Sequence, residues 1–302
     1  MNTRKLNPKF SFLPLLAFLP ILLQPVAAQQ RSATATRQPL WKIEGKQATV
    51  YLLGSVHLLK KENYPLAAPI GAAFDQAKVV VFETDFEALE KPELQMKLLS
   101  QSALPAGETL REQLSPKLYE QLAAQLKETG LPAEAVEKFK PGMVALTIAL
   151  LEMQKLGLDV KLGVDQHFHQ RATKAGKEII GLETPEFQLN LITGFSKAEG
   201  EAILKSTLKN IRNLKRDLDR LLKSWQTGDM KTVADLLNEA LEEQPELYKR
   251  LVVERNKRWI PKIEELVRGD KDAIVIVGTG HLAGKQSVIE LLEKNGLKVT
   301  QQ

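Results

Sequence analysis

The chain of 302 residues contains no cysteine. Disulfides, thiolate metal sites and a lipid-modified N-terminal cysteine are therefore excluded, and stability must come from packing. Histidine is scarce, with four copies. No P-loop, no Gly-x-Ser-x-Gly elbow and no His-Glu-x-x-His helix is present, so these routes to nucleotide, serine or zincin chemistry are absent. Long apolar runs are missing after the first two dozen residues, and none is long enough to span a membrane.

That first stretch has a distinct design. Arg4, Lys5 and Lys9 form a basic start, followed by an apolar segment from Phe10 to about Leu23 and by Val26-Ala27-Ala28. Pro14, Pro20 and Pro25 interrupt it, and it falls short of the ~20 residues that a spanning helix needs. It reads as a secretory signal peptide over residues 1–28, cut after Ala28, which places the mature chain in the periplasm or outside the cell. The full chain carries 42 Lys+Arg and 37 Asp+Glu, a net of +5. Loss of the three leader bases leaves 39 against 37, a net of +2, so the sequence pI of 9.1 does not argue for nucleic acid or an anionic membrane.

Residues 29–38 are small and polar and read as a flexible leader. Residues 39–302 are expected to form a single domain. Residues 40–45 and 48–54 suit a strand pair around Glu44-Gly45-Lys46, and Lys78 to Asp85 carries a continuous β-branched run suited to a buried strand. A helix over 66–76 between them completes a βαβ unit. From about 86 to 160 the pattern turns helical, forming an insertion. A strand at 179–182, a long helix over 196–225, helices near 229–241 and 245–268, a strand at 273–277, a helix from Leu282 and a strand at 297–299 follow. The fold class is α/β (α+β): β-rich ends build one sheet, and a largely helical middle caps it.

Two of the four histidines close the same small motif. Leu53-Gly54-Ser55-Val56-His57 and Val277-Gly278-Thr279-Gly280-His281 both run strand, glycine, histidine. Both sites fall just past a strand's C-terminal end, where open α/β sheets bind ligands. Gly54 and Gly278 allow sharp turning and close backbone approach. A helix starting at Leu282 would keep His281 neutral through its dipole. Glu83 and Asp85 also follow a strand, and Glu83 would lie close to His57 if their strands were neighbours. Two histidines and one carboxylate can hold Mn, Fe, Co or Zn with positions left open. Glu183 ends another strand. Asp165 reads equally as a helix N-cap or a site residue. His167 and His169 read as surface residues, since two positions apart they face different ways. Arg255-Asn256 lies in a predicted helix, where a buried Arg could orient a carboxylate or bind an anionic substrate group. Trp225-Gln226-Thr227-Gly228-Asp229 reads as a structural helix end.

At these residues the chain resembles the TraB/PrgY/GumN family, which includes the Tiki proteins. The pieces are Leu53 to His57, Glu83-Thr84-Asp85, Gly163-Val164-Asp165, Gly181-Leu182-Glu183-Thr184, Trp225 to Asp229, Arg255-Asn256 and Val277 to Gly284, in that order. The leader suggests the bacterial GumN-like branch. The resemblance implies a fold related to erythromycin esterase and the ChaN haem-binding proteins, with two βαβ-containing halves forming a central mixed sheet. In the Tiki branch it implies a metal-dependent protease. By position it carries over His57, His281 and Glu83 as the site, and Arg255-Asn256 matches the family's Arg-Asn pair; in our own reading His57, His281 and Glu83 hold the metal, Glu183 or Asp85 serves as base, and Arg255 with Asn256 binds the substrate. The leading expectation is an extracytoplasmic metal-dependent hydrolase acting on peptides. The alternatives are a metal-independent His-based esterase, or a binding protein for a peptide, a haem-like ligand or a polysaccharide precursor.

Overall fold

The computed structural model describes residues 37–241 and 244–302. The signal-peptide assignment lies outside the described residues, as does the leader apart from Arg37 and Gln38. The six strands are β1 (Leu40–Glu44), β2 (Thr49–Ser55), β3 (Val79–Phe82), β4 (Glu178–Gly181), β5 (Ala273–Gly278) and β6 (Val299–Gln301). They form one mixed sheet in the order β4-β3-β5-β2-β1-β6. The four strands β4, β3, β5 and β2 are mutually parallel, and β1 runs antiparallel to both of its neighbours.

The residue types explain the positions. Ile274, Val275, Ile276 and Val277 of β5 are all buried, as a β-branched strand covered on both faces must be. Edge strand β4 is short, and Glu178 and Ile180 are exposed, which blunts a pairing edge. Alternation sorts the strand residues between two cores. Leu53, Val80, Phe82, Ile274 and Ile276 face one side with Phe74, Phe168 and Trp225. Leu52, Val79, Val81, Val275 and Val277 face the other with Trp259, Ile263 and Leu292. Helices Ala68–Gln76, Val164–Ala175 and Leu214–Gln226 cover the first face. Helices Glu254–Arg268 and Val288–Lys294 cover the second.

The helical part has its own core. Leu118, Leu122, Val144, Ile148, Ile203 and Leu204 join three helices, Pro116–Thr129, Pro141–Lys155 and Lys197–Asn210. The mixed sheet and helical middle match the expected class, and the details differ in three places. β5 separates β3 from β2, so the strands carrying Glu83 and His57 are not neighbours. The helix expected over 196–225 breaks at Ile211–Asn213 into a tighter turn, where Asn210 turns its side chain back to the Ser206 carbonyl at 2.9 Å. Asn is a weak helix former for this reason. The last helix begins at Val288 after Ser287 as its cap, not at Leu282.

Candidate active site

The C-terminal ends of the four parallel strands meet at one place. His57 follows β2, Glu83 follows β3, Glu183 follows β4 and His281 follows β5. Gly278 marks the centre. A methyl group built there would sit 3.2 Å from Glu83 Oε1, 3.3 Å from His57 Nε2 and 3.6 Å from His281 Cδ2. Its backbone is not left-handed, so the glycine serves close approach and not an unusual turn. Gly278 N–H also donates to Glu83 Oε1 at 2.8 Å.

Arg255 is the hub of the polar contacts. Its Nη2 donates to Glu83 Oε2 at 2.5 Å and to Glu183 Oε2 at 2.8 Å. Its Nε donates to Glu183 Oε1 at 2.9 Å. Nη1 donates to His281 Nε2 at 3.0 Å and to the Leu251 carbonyl at 3.2 Å. A guanidinium has five N–H donors, and all are used. No donor remains for a substrate carboxylate, so the substrate-binding role expected of Arg255 does not match this arrangement.

The tautomer of His281 follows. Arg can only donate, so Nε2 accepts, and Nδ1 carries the proton that it donates to Asn256 Oδ1 at 2.6 Å. Asn256 is fully buried, and its Nδ2 donates to the Gln286 carbonyl at 2.8 Å. Asn256 thus orients His281 and has no face for a substrate. Burial and the neighbouring Arg255 push the His281 pKa down to about 3, so it is neutral. The cause is not a helix dipole, because no helix starts at Leu282. Trp259 packs on the ring at 4.4 Å between centroids.

His57 is held differently. Its Nδ1 lies 2.8 Å from Asp165 Oδ2 as an ion-pair contact, and among the described residues no other group reaches either oxygen of the buried Asp165 with a hydrogen bond. Burial alone would lower the His57 pKa, but Asp165, with Glu83 behind it, outweighs burial and the net direction is upward from 6.5. Asp165 stands in the first turn of helix Val164–Ala175, whose N-cap is Gly163. A side chain at Gly163 would run into the His57 carbonyl oxygen at 2.2 Å, and Val164 N–H donates to the Val56 carbonyl at 3.0 Å. Gly163-Val164-Asp165 is therefore a docking element for the His57 loop. The N-cap reading is corrected.

Burial would raise the Glu83 pKa, but Arg255, His281, His57 and the Gly278 N–H hold it well below the usual carboxylate range. Glu183 is fully engaged by Arg255, by Trp259 Nε1 at 3.0 Å and by Gln188 Nε2 at 3.2 Å, which makes it an anchor with no lone pair turned to a reacting proton. Asp85 is not brought to the site. It is exposed and accepts the Ala88 N–H at 3.1 Å as a helix cap. His169 is buried between Phe82 and Phe86, so it is not the surface residue expected, while His167 is half-buried beside Tyr64 and Phe168. Sequence reasoning missed the Asp165–His57 pairing and Gln188. The Gly-x-Asp tripeptide held a signal for the first, and nothing marked the second. Trp225 is structural as expected: its Nε1 donates to the Gly54 carbonyl at 2.7 Å.

A known family pattern, that of the TraB/PrgY/gumN family, matches residues 39–301, a span that includes all of these strand ends. The chain belongs to the TraB/PrgY/gumN family. It is 25% identical over 247 residues to the uncharacterized protein YbaP of Escherichia coli (strain K12), covering 80% of this chain and 87% of that protein. It is 24% identical over 273 residues to an uncharacterized protein of Treponema pallidum (strain Nichols), covering 85% of this chain and 80% of that one. It is 23% identical over 314 residues to Metalloprotease TIKI1 of Homo sapiens, covering 86% of this chain and 61% of that protein. No solved structure matches.

The name of the last relative implies a metal, and the residues can be tested for it. Among the described residues His57 Nε2 has no hydrogen-bond partner, and Glu83 Oε1 accepts only the Gly278 N–H. His281 Nε2, however, is taken by Arg255. Among the described residues no three His, Asp or Glu side chains form a ready ligand set. As arranged, the three donors do not fit a shared ion.

Proposed function

We propose that the protein is an extracytoplasmic hydrolase of peptide bonds, with residues 39–302 acting as one domain and His57 as general base. The observation that carries this reading is the state of His57. Its Nδ1 is fixed by a buried carboxylate, while its Nε2 points, without a partner, to the centre ringed by Glu83 and Gly278. This is the division of labour a general base needs: one nitrogen held, the other free to take a proton. Neutral His57 accepts a proton from water at Nε2 as the oxygen attacks a carbonyl carbon. The Asp165 carboxylate on one side and ionised Glu83 on the other stabilise the imidazolium. The proton then passes to the leaving amine. Supporting the choice of peptide are the relatives named metalloprotease; supporting the location is the signal-like sequence of residues 1–28.

A second reading keeps the site and adds a divalent metal among His57, Glu83 and His281. The convergence of these residues on Gly278 favours it. Such an ion would supply Lewis-acid polarisation of a carbonyl and a more acidic water. One experiment separates the two. Hydrolysis of a broad peptide and ester panel is measured for the wild type with and without chelator, and for His57→Ala. Turnover that survives chelation and is lost in His57→Ala supports the first reading, and loss on chelation with restoration by Mn, Co, Zn or Fe supports the second. Turnover unchanged in His57→Ala overturns both.

A further inference from the structure

Gln188 is a buried polar side chain that neither reading of the reaction employs. It is 2% exposed. Its carboxamide nitrogen has two N–H donors, and two carboxylate oxygens lie within reach, Glu83 Oε2 and Glu183 Oε2, each at 3.2 Å. The same two oxygens receive Arg255 Nη2. They are thus bridged twice, once by a cation and once by a neutral amide. A second cation in place of Gln188 would hold the oxygens equally well, but it would cancel the negative charge that Glu83 presents to His57. An amide supplies donors and adds no charge.

The double bridge divides the two oxygens of Glu83 between two tasks. Oε2 takes Arg255 and Gln188. Oε1 is left with the Gly278 N–H at 2.8 Å, on the side of Gly278 where His57 Nε2 also stands. The terminal torsion of a Glu side chain is soft, with no sharp preferred angle of its own. Its orientation must therefore come from donors. Arg255 reaches Glu83 through one nitrogen, which it shares with Glu183, and Gln188 adds a second fixed point on Oε2. That point comes from a different part of the molecule. Glu83, Glu183 and Gly278 lie at strand ends, whereas Gln188 sits in helix Pro185–Thr193. Leu189 and Ile192 of that helix pack with Leu98, Met143 and Leu146 of the helical middle, so the cap fixes where the amide stands.

We propose that Gln188 is a positioning residue, through which the helical cap holds Glu83 Oε2 so that Oε1 stays on Gly278 and faces His57. Its effect on turnover rests on the hydrolase reading, in which Glu83 stabilises the charged form of His57, but the positioning is measured without turnover. The reporter is the Gly278 backbone amide, followed by ¹⁵N–¹H correlation spectra and deuterium exchange in the wild type and in Gln188→Met, which keeps the side chain's length and has no donor. In the variant the Gly278 amide should exchange about tenfold faster or more, while the Ile274 and Ile276 amides inside β5 keep their wild-type protection. Unchanged exchange at Gly278, or an equal loss along the whole of β5, overturns the proposal. On any substrate the wild type turns over, kcat of Gln188→Met should fall about tenfold with KM within about twofold. A Gly278 response with unchanged kcat supports the positioning and removes Glu83 from the hydrolase reading; a fall in kcat with no Gly278 response overturns the positioning. Should Gln188→Met fail to fold, the wild type decides: its two Gln188 Nε2 protons, each on a carboxylate, should give separate signals protected from exchange, and a rapidly exchanging pair overturns the proposal.

Discussion

Replacing Arg255 by Met tests the charge balance of the site directly. The side chains of Arg255, Glu83 and Glu183 are 5%, 7% and 5% exposed, so the cluster is desolvated. Met matches the volume of the stem and removes the cation, which leaves two buried carboxylates without their shared partner. Breaking a buried pair in this way costs about 3–5 kcal/mol, and at ~2 °C per kcal/mol for a domain of this size the melting temperature should fall by about 6–10 °C at pH 7. The pH dependence sharpens the test. In the wild type the folded pKa of Glu83 is depressed, so its contribution is present above the unfolded value of ~4.3 and is lost as pH falls through the folded one. In the variant the missing cation raises the folded pKa, so acid relieves the strain by protonating a carboxylate. The gap in melting temperature between the two proteins should therefore narrow from pH 7 to pH 4. Circular dichroism melts across that range measure it. A loss under ~2 °C at pH 7, or a gap constant with pH, would refute the view that Arg255 is the compensating charge.

Further outcomes follow from other contacts. Asp165→Asn should lower the His57 pKa, seen by NMR titration of the ring; since the wild-type value lies above 6.5, the acidic limb of turnover should also move to lower pH, and an unmoved limb would remove His57 from the base role. Gly278→Ala should cost about 1–3 kcal/mol of stability in denaturant unfolding and reduce turnover by about 10²-fold, because its methyl group meets Glu83 and His57 at 3.2 and 3.3 Å; full activity would place the reaction elsewhere. Trp225→Phe should cost about 1–3 kcal/mol in denaturant unfolding, since it strips the buried Gly54 carbonyl of its 2.7 Å partner; a cost near zero would show that carbonyl satisfied by another route.

Much of this was legible in the residues. The unbroken β-branched run Ile274 to Val277 announced a strand covered on both faces, and β5 is central. The paired Gly-x-x-His motifs announced a common place, and Gly278 marks it. Periodicity could not show which strands become neighbours, because pairing is set by packing across the whole chain; β5 lies between β2 and β3, and Glu83 nevertheless reaches the site because it leans on Gly278 of β5. Partnership was hidden for the same reason. Arg255, Asn256 and Glu183 each read as groups for substrate or proton, and each proves saturated by another side chain 25 to 172 positions away. Asp165 gave the opposite error: a residue type that suits a helix cap was free for a tertiary contact, because Gly163 had taken the cap position.

The place of β5 in the sheet also sets the order in which the molecule can be completed. Its ladder with β2 joins Val50 to Ala273 and Ser55 to Gly278, and its ladder with β3 joins Val79 to Ala273. Until that strand is synthesised, β2 and β3 have a gap between them, and the sheet can close only by paying the entropy of very long loops. His57 on β2 and the Glu83–Glu183 pair on β3 and β4 therefore stay apart until β5 joins the two halves of the sheet. The strand that fills the gap carries Gly278 and delivers His281. Structural closure and assembly of the reactive centre are thus a single late event, and a truncated chain has neither.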